Sequence, residues 1–229
     1  MSAILRWTFG VGIALLLTAV PFLTYRWSYT HAKRFREVVP GQVYRSGQMT
    51  SSGFAEMVAR YHLRTIINLQ DDYPDPDVAE GYFTQRTVKE SDLCRRLGVR
   101  YVFIAPDLVP RREVPARRPE AIDRILALFD DPATYPVLLH CRAGLHRTGV
   151  MTAVYRMEYQ GWSPGRAFRE LKANGFGEWP CSSANDYVLD YVLTYRPGVR
   201  NPVTDPPDLG AGGRAEAFRD RDGMNDGAD

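Results

Sequence analysis

At 229 residues the chain has room for one ordinary domain plus tails, and its 45% apolar content is enough to build a core. A net charge of +2, with no long Lys/Arg block and no zinc-finger spacing, gives no case for nucleic-acid binding. The three cysteines, Cys94, Cys141 and Cys181, are far apart and odd in number, which argues against a disulfide framework and for a reducing surrounding.

The first element differs from the rest. From Trp7 to Tyr25 the chain carries no charge, and as a helix this run is about long enough to cross ~30 Å of hydrocarbon. Trp7, Tyr25, Trp27 and Tyr29 sit at its edges, as interfacial aromatic belts do. A cleaved signal peptide is the rival reading, but no clear Ala-x-Ala site follows the run. A buried helix is the third. The segment 1–26 is therefore read as a membrane anchor or signal segment, with the single-pass anchor preferred. Arg26, Lys33, Arg34 and Arg36 after the run outweigh Arg6 before it, which places the remainder on the cytoplasmic side.

Residues 27–40 read as a juxtamembrane linker and 41–196 as the folded domain. A short strand is expected at 43–46, a turn at 47–52 and a helix from Ser51 or Ser52 to about Tyr61. The β-branched run 63–69 reads as a buried strand, and 71–77, with its Asp, Pro and Tyr residues, as a loop. A helix over 84–97 would end at Gly98. An apolar strand 99–105 follows, then a Pro- and Arg-rich loop 106–119, a helix 119–130 and a third apolar strand 136–140. Helices are expected at 148–160, from Ser163-Pro164 to Ala173, and at 183–195. The Gly-, Pro- and Asp-rich stretch 197–229 reads as a disordered tail. Strands alternating with helices predict an α/β fold with a central, mostly parallel sheet flanked by helices. Ligands bind such sheets beyond the carboxyl ends of the strands.

The strand 136–140 ends on the segment His140-Cys141-Arg142-Ala143-Gly144-Leu145-His146-Arg147-Thr148-Gly149. A strand, a short glycine-bearing loop and a helix N-terminus form an anion nest, because loop N–H groups turn inward and the helix adds partial positive charge. Arg147 can grip two phosphate oxygens across the loop. Such a field favours a thiolate, the nucleophilic form of a cysteine. Thr148 can donate a hydrogen bond to the sulfur when it leaves, and His140 orients the loop from behind. Arg142 and His146 add charge around the cradle: Arg142 is either a substrate contact or a solvated charge, His146 either a contact or a structural partner. Arg45 is either a structural support of the loop or a strand-edge charge. The arginines at 111, 112, 117 and 118 form either a basic rim or a solvated face, and Cys94 and Cys181 read as core thiols.

Cys-x5-Arg-Thr preceded by His resembles the signature of the protein tyrosine phosphatase superfamily, in the short form of the dual-specificity branch. Val43-Tyr44-Arg45-Ser46-Gly47-Gln48 and Leu63-Arg64-Thr65-Ile66-Ile67-Asn68-Leu69 resemble two upstream segments of its atypical fungal, plant and bacterial group, which includes inositol pyrophosphate phosphatases. The resemblance covers roughly 40–195. It implies a cysteine-phosphatase fold and hydrolysis of phosphomonoesters on phosphotyrosine, phosphoserine or phosphothreonine proteins or inositol phosphates, through a phosphocysteine and without metal or other cofactor. It further implies Cys141 as nucleophile, Arg147 and Thr148 as its catalytic partners, and a phosphate cradle of Arg142, Ala143, Gly144, Leu145, His146 and Arg147. The general acid it implies is Asp107, on the loop after strand 99–105, with Glu113 in reserve. Relatives acting on inositol phosphates often carry Lys four residues after the cysteine, where this chain has Leu145. A catalytically weak pseudophosphatase that binds phosphorylated partners is the alternative, and a sulfurtransferase is disfavoured because its loop is shorter and lacks the Arg-Thr-Gly close.

Overall fold

The structure is a computed structural model that describes residues 3–71, 73–81, 84–177 and 184–203. It opens with helix α1 (Ala3–Arg26), continued by a π-helical turn at Trp27–His31. The apolar side chains of α1, among them Phe9, Leu15, Leu16, Leu17, Phe22 and Leu23, lie exposed among the described residues.

The sheet has five strands, β1 (Arg36–Val39), β2 (Val43–Gly47), β3 (Thr65–Asn68), β6 (Arg100–Phe103) and β7 (Val137–Cys141), in the order β1-β2-β7-β3-β6. Only β1 is antiparallel, to β2, and the other pairs are parallel. Strand β7 lies at the centre. Its Val137, Leu138 and Leu139 are fully buried, each contributing ~1.5–3 kcal/mol by leaving water. The strand's period of two splits the core. Val137, Leu139 and Cys141 face one side, against helices α4 (Glu120–Asp130), α5 (His146–Gln160), α6 (Pro164–Ala173) and the C-terminal α7 (Ala184–Val188). Leu138 faces the other, against α2 (Ser51–Tyr61) and α3 (Glu90–Leu97).

Helix boundaries follow their caps. Thr50 accepts from the Gly53 N–H at α2, and Ser163 accepts from the Arg166 N–H with Pro164 at the first helical position of α6. Gly98 and Gly161 close α3 and α5 in the left-handed region.

Two expected elements differ. The linker read at 27–40 holds β1, and Ala32 and Val38 are buried, so the sheet begins at Arg36. Pairing across to β2 decides this, and a four-residue strand with mixed polarity gives little sequence signal. The helix read over 84–97 begins only at Glu90. The preceding stretch makes β5 (Thr87–Lys89), paired with β4 (Asp77–Ala79). A distant residue sets the boundary: the Asp75 carboxylate accepts from the Ser91 N–H at 2.9 Å and from the Ser91 hydroxyl at 2.8 Å. Cys94 is buried as expected; Cys181, residue 183 and the tail from 204 onward lie outside the described residues.

Candidate active site

Strand β7 carries Cys141 to the carboxyl edge of the sheet, where Gly47 of β2 pairs with it. Cys141 is only 4% exposed. The residues after it form a loop whose carbonyls are tied back from outside. Arg45 Nη2 donates to the Gly144 carbonyl at 2.8 Å, Arg34 Nη1 to the Ala143 carbonyl at 3.0 Å, and the Gln48 N–H to the Arg142 carbonyl at 3.3 Å. A peptide whose C=O is held outward turns its N–H inward, so these three supports shape the nest. The Gly144 N–H points at the Cys141 sulfur, 3.3 Å away.

Gly144 has φ +74°, and a Cβ there would lie 2.5 Å from the Gly47 nitrogen and 2.6 Å from the Ser46 carbonyl. Only glycine permits this approach of loop to strand. Arg45 is the structural support the sequence left open. It is buried, and burial lowers its guanidinium to about 10, high enough to stay charged near neutral pH.

Behind the loop, His140 Nε2 and Glu90 Oε1 are 2.6 Å apart, and both side chains are wholly buried. Glu90, the first residue of α3, anchors the histidine; sequence reading missed it because fifty residues separate the pair. The Leu69 N–H donates to the His140 carbonyl at 2.8 Å, fixing the strand end.

Arg147 lies in the first turn of α5 and reaches across the mouth. Its Nη2 is 2.6 Å from Asp71 Oδ2, and its Nε donates to the Tyr187 hydroxyl at 3.3 Å. Tyr187 in turn donates to Asp71 at 3.1 Å. Burial works against the Arg147 charge, but the Tyr187 hydrogen bond and the Asp71 carboxylate hold its pKa above the ordinary value. Burial also pushes the Tyr187 phenol up to about 12. Asp71 and Tyr187 were both missed in the sequence, the first falling in the loop 71–77 and the second within the helix expected at 183–195.

Asp107 is exposed on the loop after β6, and among the described residues no hydrogen bond or ion pair joins its side chain to residues 141–147. Its backbone is pinned beside the site. Tyr191 donates to the Asp107 carbonyl at 2.6 Å, Asp190 accepts from the Val109 N–H at 3.0 Å, and the Tyr187 hydroxyl lies 3.4 Å from the Pro106 carbonyl. Glu113, the reserve, pairs with Arg117 at 3.5 Å.

Thr148 is buried, and its hydroxyl has no hydrogen-bond partner among the described residues, so the expected bond to the sulfur is not formed here. The Leu145 side chain is buried, leaving its backbone as its only contribution to the cradle. His146 packs edge-on against Phe176 at 5.1 Å; burial, then Arg147, lowers its pKa. Arg142 is exposed and lines a cavity of about 260 Å³ with Gln48, Gln70, Tyr73, Asp75 and Lys89. The arginines at 111, 112, 117 and 118 each meet a carboxylate, Asp186, Glu113, Glu113 and Asp123 in turn, so they form no unpaired basic rim.

A cysteine at a parallel strand's carboxyl end, inside an inward-turned amide loop closed by an arginine, defines the class of cysteine-based phosphatases. The chain matches the tyrosine phosphatase family over residues 29–178, more than half its length, and it belongs to that family, in the atypical dual-specificity group. Over 43 residues it is 46% identical to the dual-specificity protein phosphatase TpbA of Pseudomonas aeruginosa, which is 19% of this chain and 20% of TpbA. The chain thus spans only a fifth of that relative's length. With the tyrosine-protein phosphatase-like protein OCA2 of Saccharomyces cerevisiae it shares 27% identity over 176 residues, 76% of this chain and 79% of OCA2. Among solved structures, the core catalytic domain of the PP-IP phosphatase SIW14 from S. cerevisiae shares the fold, with TM-score 0.50 and 21% identity over 69% of this chain and 85% of that one.

Proposed function

We propose that the protein hydrolyses phosphomonoesters by a two-step reaction at Cys141. The observation that carries this reading is the loop whose carbonyls at Arg142, Ala143 and Gly144 are held outward, so that its amides face the cysteine. A phosphoryl group seated there receives loop N–H bonds, including those of Leu145 and His146, and the guanidinium of Arg147. The Cys141 thiolate attacks phosphorus; the S–P bond forms as the P–O bond to the leaving group breaks. Asp107 donates its proton to the departing oxygen. The resulting carboxylate then takes a proton from water, whose oxygen attacks phosphorus and breaks the S–P bond, releasing phosphate and the thiolate. Thr148, buried beside the loop, supplies its hydroxyl to the departing sulfur. Asp71 holds Arg147 across the mouth until phosphate oxygens take its place.

Substrate candidates are phosphorylated proteins and inositol phosphates, the classes named for TpbA and SIW14. The cavity beside Arg142, with the buried Gln70 amide nitrogen unpartnered, offers polar contacts to the group that carries the phosphate.

The test is turnover of p-nitrophenyl phosphate. Wild type should release nitrophenol in a vanadate-sensitive manner, and Cys141→Ser should fall by at least ~10³-fold. Equal rates in the two proteins would sink the reading. Asp107→Asn should lower turnover of an alkyl phosphate by ~10²-fold while sparing aryl phosphates, whose leaving groups need little protonation.

For α1, the reading is a single membrane span with the domain on the cytoplasmic side. The helix Arg6–His31 has 26 residues and holds an 18-residue window of mean hydropathy 1.8, and at ~1.5 Å of rise per residue it is ample for the hydrocarbon layer. Resistance to an alkaline wash and protease accessibility from the cytoplasmic face check it; release into the wash counts against the span.

A further inference from the structure

The route from α1 into the sheet places the catalytic edge on the helix side. Strand β1 runs antiparallel to β2, so the chain enters the domain beside Gly47 and Cys141, at the carboxyl edge of the parallel strands. The junction is rigid. His31 Nε2 lies 2.7 Å from Glu56 of α2, and Gly53 leaves no space above it: a Cβ there would sit 2.0 Å from the His31 carbonyl. Lys33 and Arg34 adopt positive φ, 27° and 60°, in a turn closed by the Phe35 N–H on the Ala32 carbonyl at 2.8 Å.

These two cations fold onto the phosphate loop. The Gly47 N–H donates to the Lys33 carbonyl at 2.7 Å, and Arg34 holds the Ala143 carbonyl. The half-buried Lys33 ammonium has no carboxylate partner among the described residues. Its pKa lies below the ordinary value through burial and through Arg34 and Arg142, with Cys141 acting in the opposite direction.

Distance decides what this arrangement can reach. The charge-free run ends at Tyr25, and four further helical residues, about 6 Å of rise, carry the chain to Tyr29. The headgroup layer outside ~30 Å of hydrocarbon is itself roughly 5–8 Å deep. Exposed Tyr25, Trp27 and Tyr29 mark the same level, and Arg34 lies over the Tyr29 ring at 5.0 Å.

We propose that the phosphate loop opens onto the bilayer surface and that its substrates are phosphomonoesters carried on lipid headgroups, gripped in part by Lys33. This rests on the phosphatase and membrane-span readings above. A soluble phosphoprotein would have to approach a mouth flanked by the membrane, whereas a headgroup phosphate already lies at its height.

The experiment uses the full chain reconstituted in phosphatidylcholine vesicles. Turnover is compared for phosphatidate or phosphatidylinositol phosphate in those vesicles and for glycerol phosphate, inositol phosphate or a phosphotyrosine peptide in solution, with p-nitrophenyl phosphate as the control. The expected result is at least ~10-fold higher turnover of the vesicle-borne phosphates. A flexible Gly/Ser spacer of a dozen residues between Arg26 and Trp27, reaching roughly 20 Å, should abolish that preference and leave nitrophenyl phosphate turnover unchanged. Equal turnover of lipid-borne and soluble phosphates, a preference for phosphotyrosine peptide, or a lipid preference that survives the spacer would each overturn the proposal while leaving the phosphatase reading intact. Lack of nitrophenyl phosphate turnover would remove the phosphatase reading itself, and release of the chain from vesicles by alkaline wash would remove the span; either also overturns the proposal.

Discussion

Gly144 joins local conformation to chemistry. Its positive φ turns the loop, and its missing Cβ lets the loop meet Ser46 and Gly47. Gly144→Ala should therefore cost roughly 2–4 kcal/mol of stability, combining left-handed strain with overpacking against backbone that cannot move aside. Urea unfolding measures the loss, and turnover should fall further than stability does, because the N–H aimed at Cys141 is displaced. Asp71 is the residue that chain position hid. It lies 76 residues before Arg147, between β3 and β4 in a stretch that reads only as a loop, yet its carboxylate holds that arginine at 2.6 Å.

At the scale of elements, β2 works as a brace for the loop that follows β7. Arg45 projects from β2 to the Gly144 carbonyl, and Gln48 just past its end takes the Arg142 carbonyl. Arg45→Met keeps much of the volume and removes the donor. The unpaired buried carbonyl should cost about 1–3 kcal/mol, read as a lowered urea midpoint. Turnover of p-nitrophenyl phosphate should drop by ~10²-fold, since a misaimed amide no longer meets the developing charge. A variant with wild-type turnover would show that the brace is dispensable. Helix α3 acts from the other side, where Glu90 meets His140, so the loop is supported from β2 and from α3.

For the whole molecule, the entry segment belongs to the folded unit. Ala32 and Val38 are buried, Phe35 stacks on Tyr44 at 5.4 Å and on Tyr61 at 4.8 Å, and Arg34 supports the loop. A chain begun at Gly41 should thus unfold at distinctly lower urea than one begun at Trp27, by several kcal/mol, given ~1.5–3 kcal/mol for each buried apolar side chain. It should also lose turnover, because Lys33 and Arg34 go with the segment. Equal urea midpoints would return 27–40 to the status of a linker.

The sequence by itself determined the central strand, the cysteine-bearing loop and the helix after it, because those residues act on neighbours a few positions away and the pattern is local. It also determined the parallel α/β layout, through apolar runs separated by helical periodicity, and the apolar N-terminal run. Only the tertiary structure decided what holds the loop open. Arg34, Arg45, Gln48 and Glu90 reach it from segments 50 to 109 residues away, and no spacing in the chain announces such contacts. The same holds for Asp71 and Tyr187 on Arg147, and for the course of residues 31–36, whose polar composition reads as linker until the sheet edge pairs with it.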